Sequence, residues 1–168
     1  ITVLLNGQGG DEILCGYKKF FFFYLWELLC KKQFTALFGN VFFSLINQTI
    51  LWQFSIKESK RYMPFLSTVA DPIDDVLRWK GPLEPLHHIA SLKERQIKDI
   101  EHYSVPYLTH YEDRGSMAHG LEIRLPFLDH RLVNFSLNIK DSLKIRNGWT
   151  KYILRKAMKN LPVAIAWR

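Results

Sequence analysis

The chain has 168 residues, of which 48% are hydrophobic and 14% aromatic, so it fits one globular domain and is not a disordered chain. Its formal net charge of +7 allows an anionic partner, which is a nucleotide, a nucleic acid or an acidic lipid surface. The lysines and arginines are spread along the chain without a basic block, and we therefore expect no nucleic-acid binding.

The first predicted element is a strand over residues 1–5, an apolar run typical of a buried strand in a parallel sheet. A glycine-rich loop follows over residues 6–10, and Asp11 and Glu12 then open a helix. Strand, glycine loop and helix in this order usually surround a ligand site at the carboxyl edge of a sheet. Such a loop can hold a phosphate by its backbone N–H groups while Asp11 holds a magnesium ion, but a simple capped turn gives the same pattern.

The aromatic run Phe20–Cys30 predicts a buried helix. It includes Glu27 and falls short of the roughly 20 apolar residues that cross a bilayer, so we expect no membrane partner and keep membrane contact only as the minor alternative. The two cysteines, Cys15 and Cys30, do not predict a disulfide framework, which favours a reducing, cytoplasmic setting. The histidines show no metal-ligand spacing, and no motif for nucleophilic catalysis is present.

The remainder of the chain is predicted to be mostly helical. The expected helices cover residues 40–54, 85–101, 106–120, 129–138 and 150–161. The fold class is therefore α/β, mostly α-helical in this portion. Because the chain begins inside a strand and ends without a terminating pattern, we expect it to be part of a larger domain.

Two later regions carry charges that need an explanation. Residues 113–117 and 122–129 mix acids and arginines with apolar residues, which is equally typical of structural ion pairs and of a site wall. Lys151 falls in the first turn of a predicted helix, where the helix dipole disfavours a cation unless an anion lies nearby. A solvated lysine is the alternative.

Three motifs, taken in order, resemble the glutamine-hydrolysing asparagine synthetase family. They are LLNGQGGDEILCGY from Leu4, SMAHGLEIRLPFLDHRLVNF from Ser116, and GWTKYILRKAM from Gly148. The resemblance implies that residues 1–168 are the carboxy-terminal part of a synthetase domain with a parallel-sheet, ATP-pyrophosphatase-like fold (adenine nucleotide alpha hydrolase-like). It also implies ATP and Mg²⁺ as cofactors, and a separate glutaminase domain that supplies ammonia from glutamine. In that family, ATP adenylates the carboxylate of aspartate, and ammonia then displaces AMP.

The resemblance assigns roles to individual residues. Asp11 matches the acid that binds the magnesium of ATP, and Lys151 matches the catalytic lysine that contacts the phosphates. The loop residues that match the nucleotide-binding positions are Asn6, Gly7 and Gly9. Residues 122–129 match a signature that shapes the wall of the site.

The chain departs from the family at Gln8, which occupies the catalytic position of a glutamate in a Ser-Gly-Glu-Gly motif, and at Asn6, which replaces the serine. A neutral amide does not accept a proton. The carboxylate that is converted to an amide is therefore either aspartate or another carboxylate, such as a sugar uronic acid or one closed by an internal amine. The pyrophosphate loop and the glutaminase are expected upstream of Ile1. A non-catalytic remnant is the alternative to an enzyme, and a homodimer is one candidate assembly.

Overall fold

The computed structural model describes residues 2–52 and 91–167. Two strands and nine α-helices lie in these ranges. They are β1 (Val3–Leu5), α1 (Gly10–Ile13), α2 (Lys18–Cys30), α3 (Phe34–Ile46), α4 (Leu92–Lys98), α5 (Val105–Met117), β2 (Glu122–Arg124), α6 (His130–Asn138), α7 (Asp141–Lys144), α8 (Tyr152–Ala157) and α9 (Val163–Ala166). A π-helical turn, Asp99–Tyr103, joins α4 to α5, and a 3₁₀ turn, Pro126–Leu128, precedes α6.

The strands β1 and β2 form a parallel pair, with Leu4 opposite Ile123. The prediction of a parallel strand at the amino end is confirmed, whereas β2 was not predicted as a strand. The expectation that β1 is buried is wrong, since Leu5 is 75% exposed. Burial of a parallel strand requires layers on both faces of the sheet, and β1 has one paired neighbour within the described ranges.

The helix predicted at Phe20–Cys30 is confirmed as α2, and its inner face supplies much of the core. Glu27 interrupts the apolar run but is buried, where it accepts a hydrogen bond from the Leu92 backbone N–H at 2.8 Å and so caps α4. The buried apolar core consists of Cys15, Phe20, Phe21, Tyr24, Leu28, Ile50, Leu92 and Ile145. No helix in residues 2–52 or 91–167 is long and apolar enough to cross a membrane.

Several predicted helix limits are wrong. The helix expected at 40–54 begins at Phe34 and ends at Ile46, because Gln48 adopts a left-handed conformation, with φ of 50°, that stops the helix. The helix expected at 150–161 is the shorter α8. The helices expected at 106–120 and 129–138 are confirmed within a few residues as α5 and α6. Residues 53–54 and 85–90 of two predicted helices lie outside the described ranges.

Candidate active site

The glycine loop of residues 6–10 lies at the carboxyl end of β1 and is closely packed against the 3₁₀ turn. The Asn6 backbone N–H donates to the Arg124 carbonyl at 3.0 Å, which extends the pairing of the two strands into the loop. Gly9 has a φ of 88°, and a Cβ atom there would lie 2.2 Å from Leu128 Cδ2. A glycine is therefore required at position 9 both for its backbone conformation and for the close approach of Leu128.

Asp11 and Lys151, which the sequence placed in separate motifs, meet at this loop. Lys151 Nζ lies 2.7 Å from Asp11 Oδ1, and the two side chains are 28% and 41% exposed. The paired charges are thus accessible to solutes, so an anion can approach Lys151 and a cation can approach Asp11. The anion beside Lys151 in the structure is the Asp11 carboxylate, and the contact of Lys151 with phosphates stays a prediction.

Gly16 forms the floor beneath this ion pair. A Cβ atom at Gly16 would lie 1.8 Å from Asp11 Oδ1 and 2.3 Å from Lys151 Cε, and its backbone N–H donates to the Asp11 carbonyl at 2.7 Å. Sequence reasoning assigned no role to Gly16, although it falls within the first motif. A side chain at this position would force the two charges apart.

Buried side chains hold α1, which carries Asp11. The Gln96 amide donates to the carbonyls of Glu12 and Ile13 at 3.0 and 2.9 Å, and the Ser136 hydroxyl also donates to Ile13. Gln96 is itself fixed by Lys144, whose fully buried ammonium donates to Gln96 Oε1 at 2.7 Å. These bonds satisfy the last carbonyls of the short helix and fix its position.

Glu12 is almost fully buried and serves the structure of the site. It accepts hydrogen bonds from the hydroxyls of Tyr17 at 3.0 Å and Ser104 at 2.5 Å. Burial, followed by the negative charge of Glu12, raises the pKa of the Tyr17 phenol, which therefore stays protonated and donates. Burial also raises the pKa of the Cys15 thiol, so Cys15 lacks the thiolate character of a nucleophile.

The sequence predicted that Lys151 lies in the first turn of a helix. In the structure it precedes α8 instead. It caps the helix in a left-handed conformation with φ of 52° and ψ of 32°, which is uncommon for a residue with a side chain. A tight turn directly before Lys151 sets its position. Arg146 and Trp149 form an antiparallel β-bridge, and Asn147 and Gly148 between them both have positive φ. This Asn-Gly pair is the typical sequence of a type I′ turn.

Residues of α3 and of the segment after it hold this turn by hydrogen bonds and close packing. The Thr49 hydroxyl donates to the Gly148 carbonyl at 2.8 Å, and the Gly148 N–H donates to Asn40 Oδ1 at 3.3 Å. A Cβ atom at Gly148 would lie 2.4 Å from the backbone of Ser44. Residues of α3 and of the segment just after it therefore position Lys151, a contribution that sequence reasoning missed.

Gly148→Ala is expected to lower the free energy of unfolding by about 3 kcal/mol, because the new methyl group meets backbone atoms and the positive φ is strained. Urea denaturation of the purified protein that carries this chain would measure it. The matched control is Gly39→Ala in α3, where no atom lies within 4 Å of the added carbon, and it is expected to be neutral or slightly stabilising. Equal unfolding midpoints for the two variants would contradict the packing of the turn on Ser44.

The predicted signature of residues 122–129 forms β2, the 3₁₀ turn and the cap of α6. Glu122 and Arg124 pair with each other at 2.9 Å on the exposed surface. Asp129 accepts from the Arg131 backbone N–H at 2.9 Å, and its contact with the Arg131 side chain holds the pKa of Asp129 well below its usual range. The segment supports the glycine loop through its backbone and through Leu128.

Gln8 lies half-buried in the turn between Gly7 and Gly9. Its neighbour Asn6 contacts a residue that sequence reasoning did not single out: the Asn6 amide donates to Glu112 Oε1 of α5 at 2.6 Å. Sequence reasoning missed Glu112 because Asn6, its hydrogen-bond partner, lies far away in the sequence. Within the described residues, no group of three or more histidine, cysteine, aspartate or glutamate side chains could hold a metal ion.

Comparisons with known proteins give a consistent result. The sequence model of a family described as asparagine synthase matches residues 1–168. Glutamine-hydrolysing asparagine synthetase 1 of Bacillus subtilis is 36% identical over 188 aligned positions, which cover 96% of this chain and 28% of the relative. The chicken enzyme is 40% identical over 83 residues, covering 47% of this chain and 14% of the relative. The human enzyme is 42% identical over 60 residues, covering 33% and 11%. The chain thus spans less than a third of these relatives, and no solved structure matches it.

Proposed function

Because the chain belongs to the asparagine synthase family, we propose that it carries one wall of a ligase site that activates a carboxylate with ATP and converts it to an amide. The observation that carries this proposal is the contact of Asp11 with Lys151 at 2.7 Å, beside a glycine loop at the carboxyl end of β1. A carboxylate and an ammonium at one point supply a ligand for a cation and a partner for a phosphate. Both are needed where magnesium and ATP bind together.

Asp11 fits a magnesium site of the kind that binds a nucleotide. Its carboxylate is a hard oxygen donor and is 41% exposed. Magnesium is usually held by one or two protein carboxylates together with substrate phosphates and waters, so a single acid at this position is sufficient. The ion would neutralise the charge of the phosphates when ATP is bound.

Lys151 supplies the positive charge that stabilises the leaving pyrophosphate. Its left-handed backbone, clamped by the turn at Gly148, holds the ammonium at the loop without a further change in backbone conformation. A fixed charge placed where negative charge develops lowers the barrier, because it needs no reorganisation during the reaction. The backbone of Asn6, Gly7 and Gly9 completes the nucleotide side of the site.

The wider enzyme is part of the same proposal. The chain is the carboxy-terminal part of a synthetase domain with an ATP-pyrophosphatase-like fold, and a glutaminase domain elsewhere in the protein supplies ammonia from glutamine. The similarity to relatives that are glutamine-hydrolysing asparagine synthetases supports this assignment. A cytoplasmic location and a homodimer remain predictions from the sequence.

A second candidate keeps the chemistry and changes the acceptor. Gln8 is a neutral amide, and Asn6 beside it is engaged by Glu112, so the acceptor side of the loop differs from that of the family motif. These differences favour another carboxylate, such as a sugar uronic acid, as the alternative to aspartate. The adenylation chemistry of Asp11 and Lys151 is common to both candidates.

The proposal is tested by pyrophosphate release from the full-length protein that carries this chain. The assay contains Mg-ATP, glutamine or ammonium, and either L-aspartate or a panel of other carboxylic acids. Release with aspartate together with asparagine formation would establish the first candidate, and release with another acid alone would establish the second. Absence of pyrophosphate release with every acid would contradict both candidates and favour a non-catalytic remnant.

A further inference from the structure

Glu112 is a carboxylate with an unusual environment beside the glycine loop. Its Oε1 atom accepts from the Asn6 amide at 2.6 Å. Its Oε2 atom is shielded from solvent and has no hydrogen-bond partner within the described residues, although Glu112 as a whole is only half-buried. An acceptor that is removed from water without a donor destabilises the protein, so a group of this kind calls for an explanation.

The other acids at the loop have partners that occupy them. Asp11 is paired with Lys151, and Glu12 accepts from two hydroxyls in the buried layer beneath the loop. Gln8 has no acidic group at all. Among the described carboxylates around this loop, Glu112 therefore combines closeness to Asn6 with an oxygen that still lacks a donor.

The proposed reaction needs a group with these properties. When ammonia attacks an acyl-adenylate, a carbon–nitrogen bond forms, the bond to the AMP oxygen breaks, and the electron pair of that bond leaves with AMP. The nitrogen must then lose one proton to give a neutral amide. A carboxylate with an unshared oxygen is a suitable acceptor of that proton.

We propose that Glu112 binds the amine nucleophile through Oε2 and accepts its proton during amide formation. This inference rests on the proposed ligase function and names a residue for its second half-reaction. Ammonia or a primary amine supplies the missing donor. Asn6 orients the carboxylate, because its side chain holds Oε1 while its backbone is fixed to Arg124 of β2.

The test separates adenylation from amide formation in the full-length protein. ATP–pyrophosphate exchange measures adenylation, and amide product formed with ammonium chloride measures the second step. Glu112→Gln keeps the shape and removes the acid, so exchange is expected to stay within about twofold while amide formation falls about 10²-fold. Glu112→Asp keeps the charge and is expected to show an intermediate loss. Glu101→Gln, an exposed acid outside the site, is the control and is expected to change neither step.

A rescue variant distinguishes chemistry from packing. Gln8→Glu combined with Glu112→Gln places one acid in the glycine loop that position 112 adjoins, and is expected to recover at least about tenfold of the lost amide formation. Parallel losses of exchange and amide formation in Glu112→Gln, with a lowered Tm and no rescue, would show a structural role and overturn the proposal. Unchanged amide formation in Glu112→Gln would overturn it while leaving the ligase function standing. Absence of exchange in the wild type would overturn the proposed function itself.

Discussion

Asp11→Ala is expected to lower ATP–pyrophosphate exchange by about 10³-fold or more in the full-length protein. The change removes the carboxylate that would hold the magnesium of ATP, and metal-ion stabilisation is worth several kcal/mol, with about 1.4 kcal/mol for each factor of ten. It also leaves Lys151 without its counter-charge at 2.7 Å. The measurement is exchange as a function of magnesium concentration, with saturating acceptor.

The fold should be little affected by this change, and so should glutamine hydrolysis in the proposed glutaminase domain. The ion pair of Asp11 with Lys151 is partly exposed, and pairs of that kind contribute less than about 1 kcal/mol to stability. A near-normal Tm together with lost exchange would therefore identify a chemical role. Glu101→Ala, the control, removes an exposed acid and should leave exchange unchanged. Exchange close to wild type in the Asp11 variant would refute the metal assignment.

Lys151→Met is expected to lower adenylation about 10²–10³-fold, because it removes a fixed positive charge from the point where pyrophosphate would leave in the proposed reaction. Methionine keeps much of the length of the side chain, so packing over Gly16 is retained. Single-turnover measurement of the adenylation step, over a range of magnesium concentrations, checks this result. In contrast to the Asp11 variant, the magnesium dependence should keep its midpoint while the maximal rate falls.

Two further variants test whether the effect is specific to the charge of Lys151. Lys156→Met removes an exposed lysine from α8, the helix that Lys151 precedes, and is expected to leave adenylation intact. Exchanging the pair, as Asp11→Lys with Lys151→Asp, restores an attractive contact but reverses the position of each charge. We expect this double variant to fold and to remain inactive. Recovery of adenylation in the double variant would show that the pair has only a structural role.

Local features of the sequence predicted local features of the fold well. The run Phe20–Cys30 forms a helix with one buried face, and the loop after β1 turns where its glycines allow it. The predicted limits of α3 were wrong, because the helix begins at Phe34 and stops at Ile46, before Gln48 with its positive φ. Tertiary packing adds the hydrogen bonds by which Asn40 and Thr49 contact the turn at Gly148.

Long-range contacts of the candidate site could not be predicted from the residues alone. The resemblance of three motifs named Asp11 and Lys151, but periodicity and turn chemistry do not report which distant residues meet. Glu112 was missed for this reason, since only the path of α5 beside the glycine loop brings it to Asn6. Gly16 was missed because its role depends on the space beneath two side chains.

The sequence by itself determined the family, the glycine loop, the helix α2 and the residue types available for binding a cation and a phosphate. These follow from motifs and from the conformational preferences of neighbouring residues. Only the tertiary structure decided that Asp11 and Lys151 touch, that β1 pairs with β2, and that Glu112 keeps an oxygen without a donor. These depend on contacts between residues far apart in the chain, and such contacts are selected by the packing of the whole core.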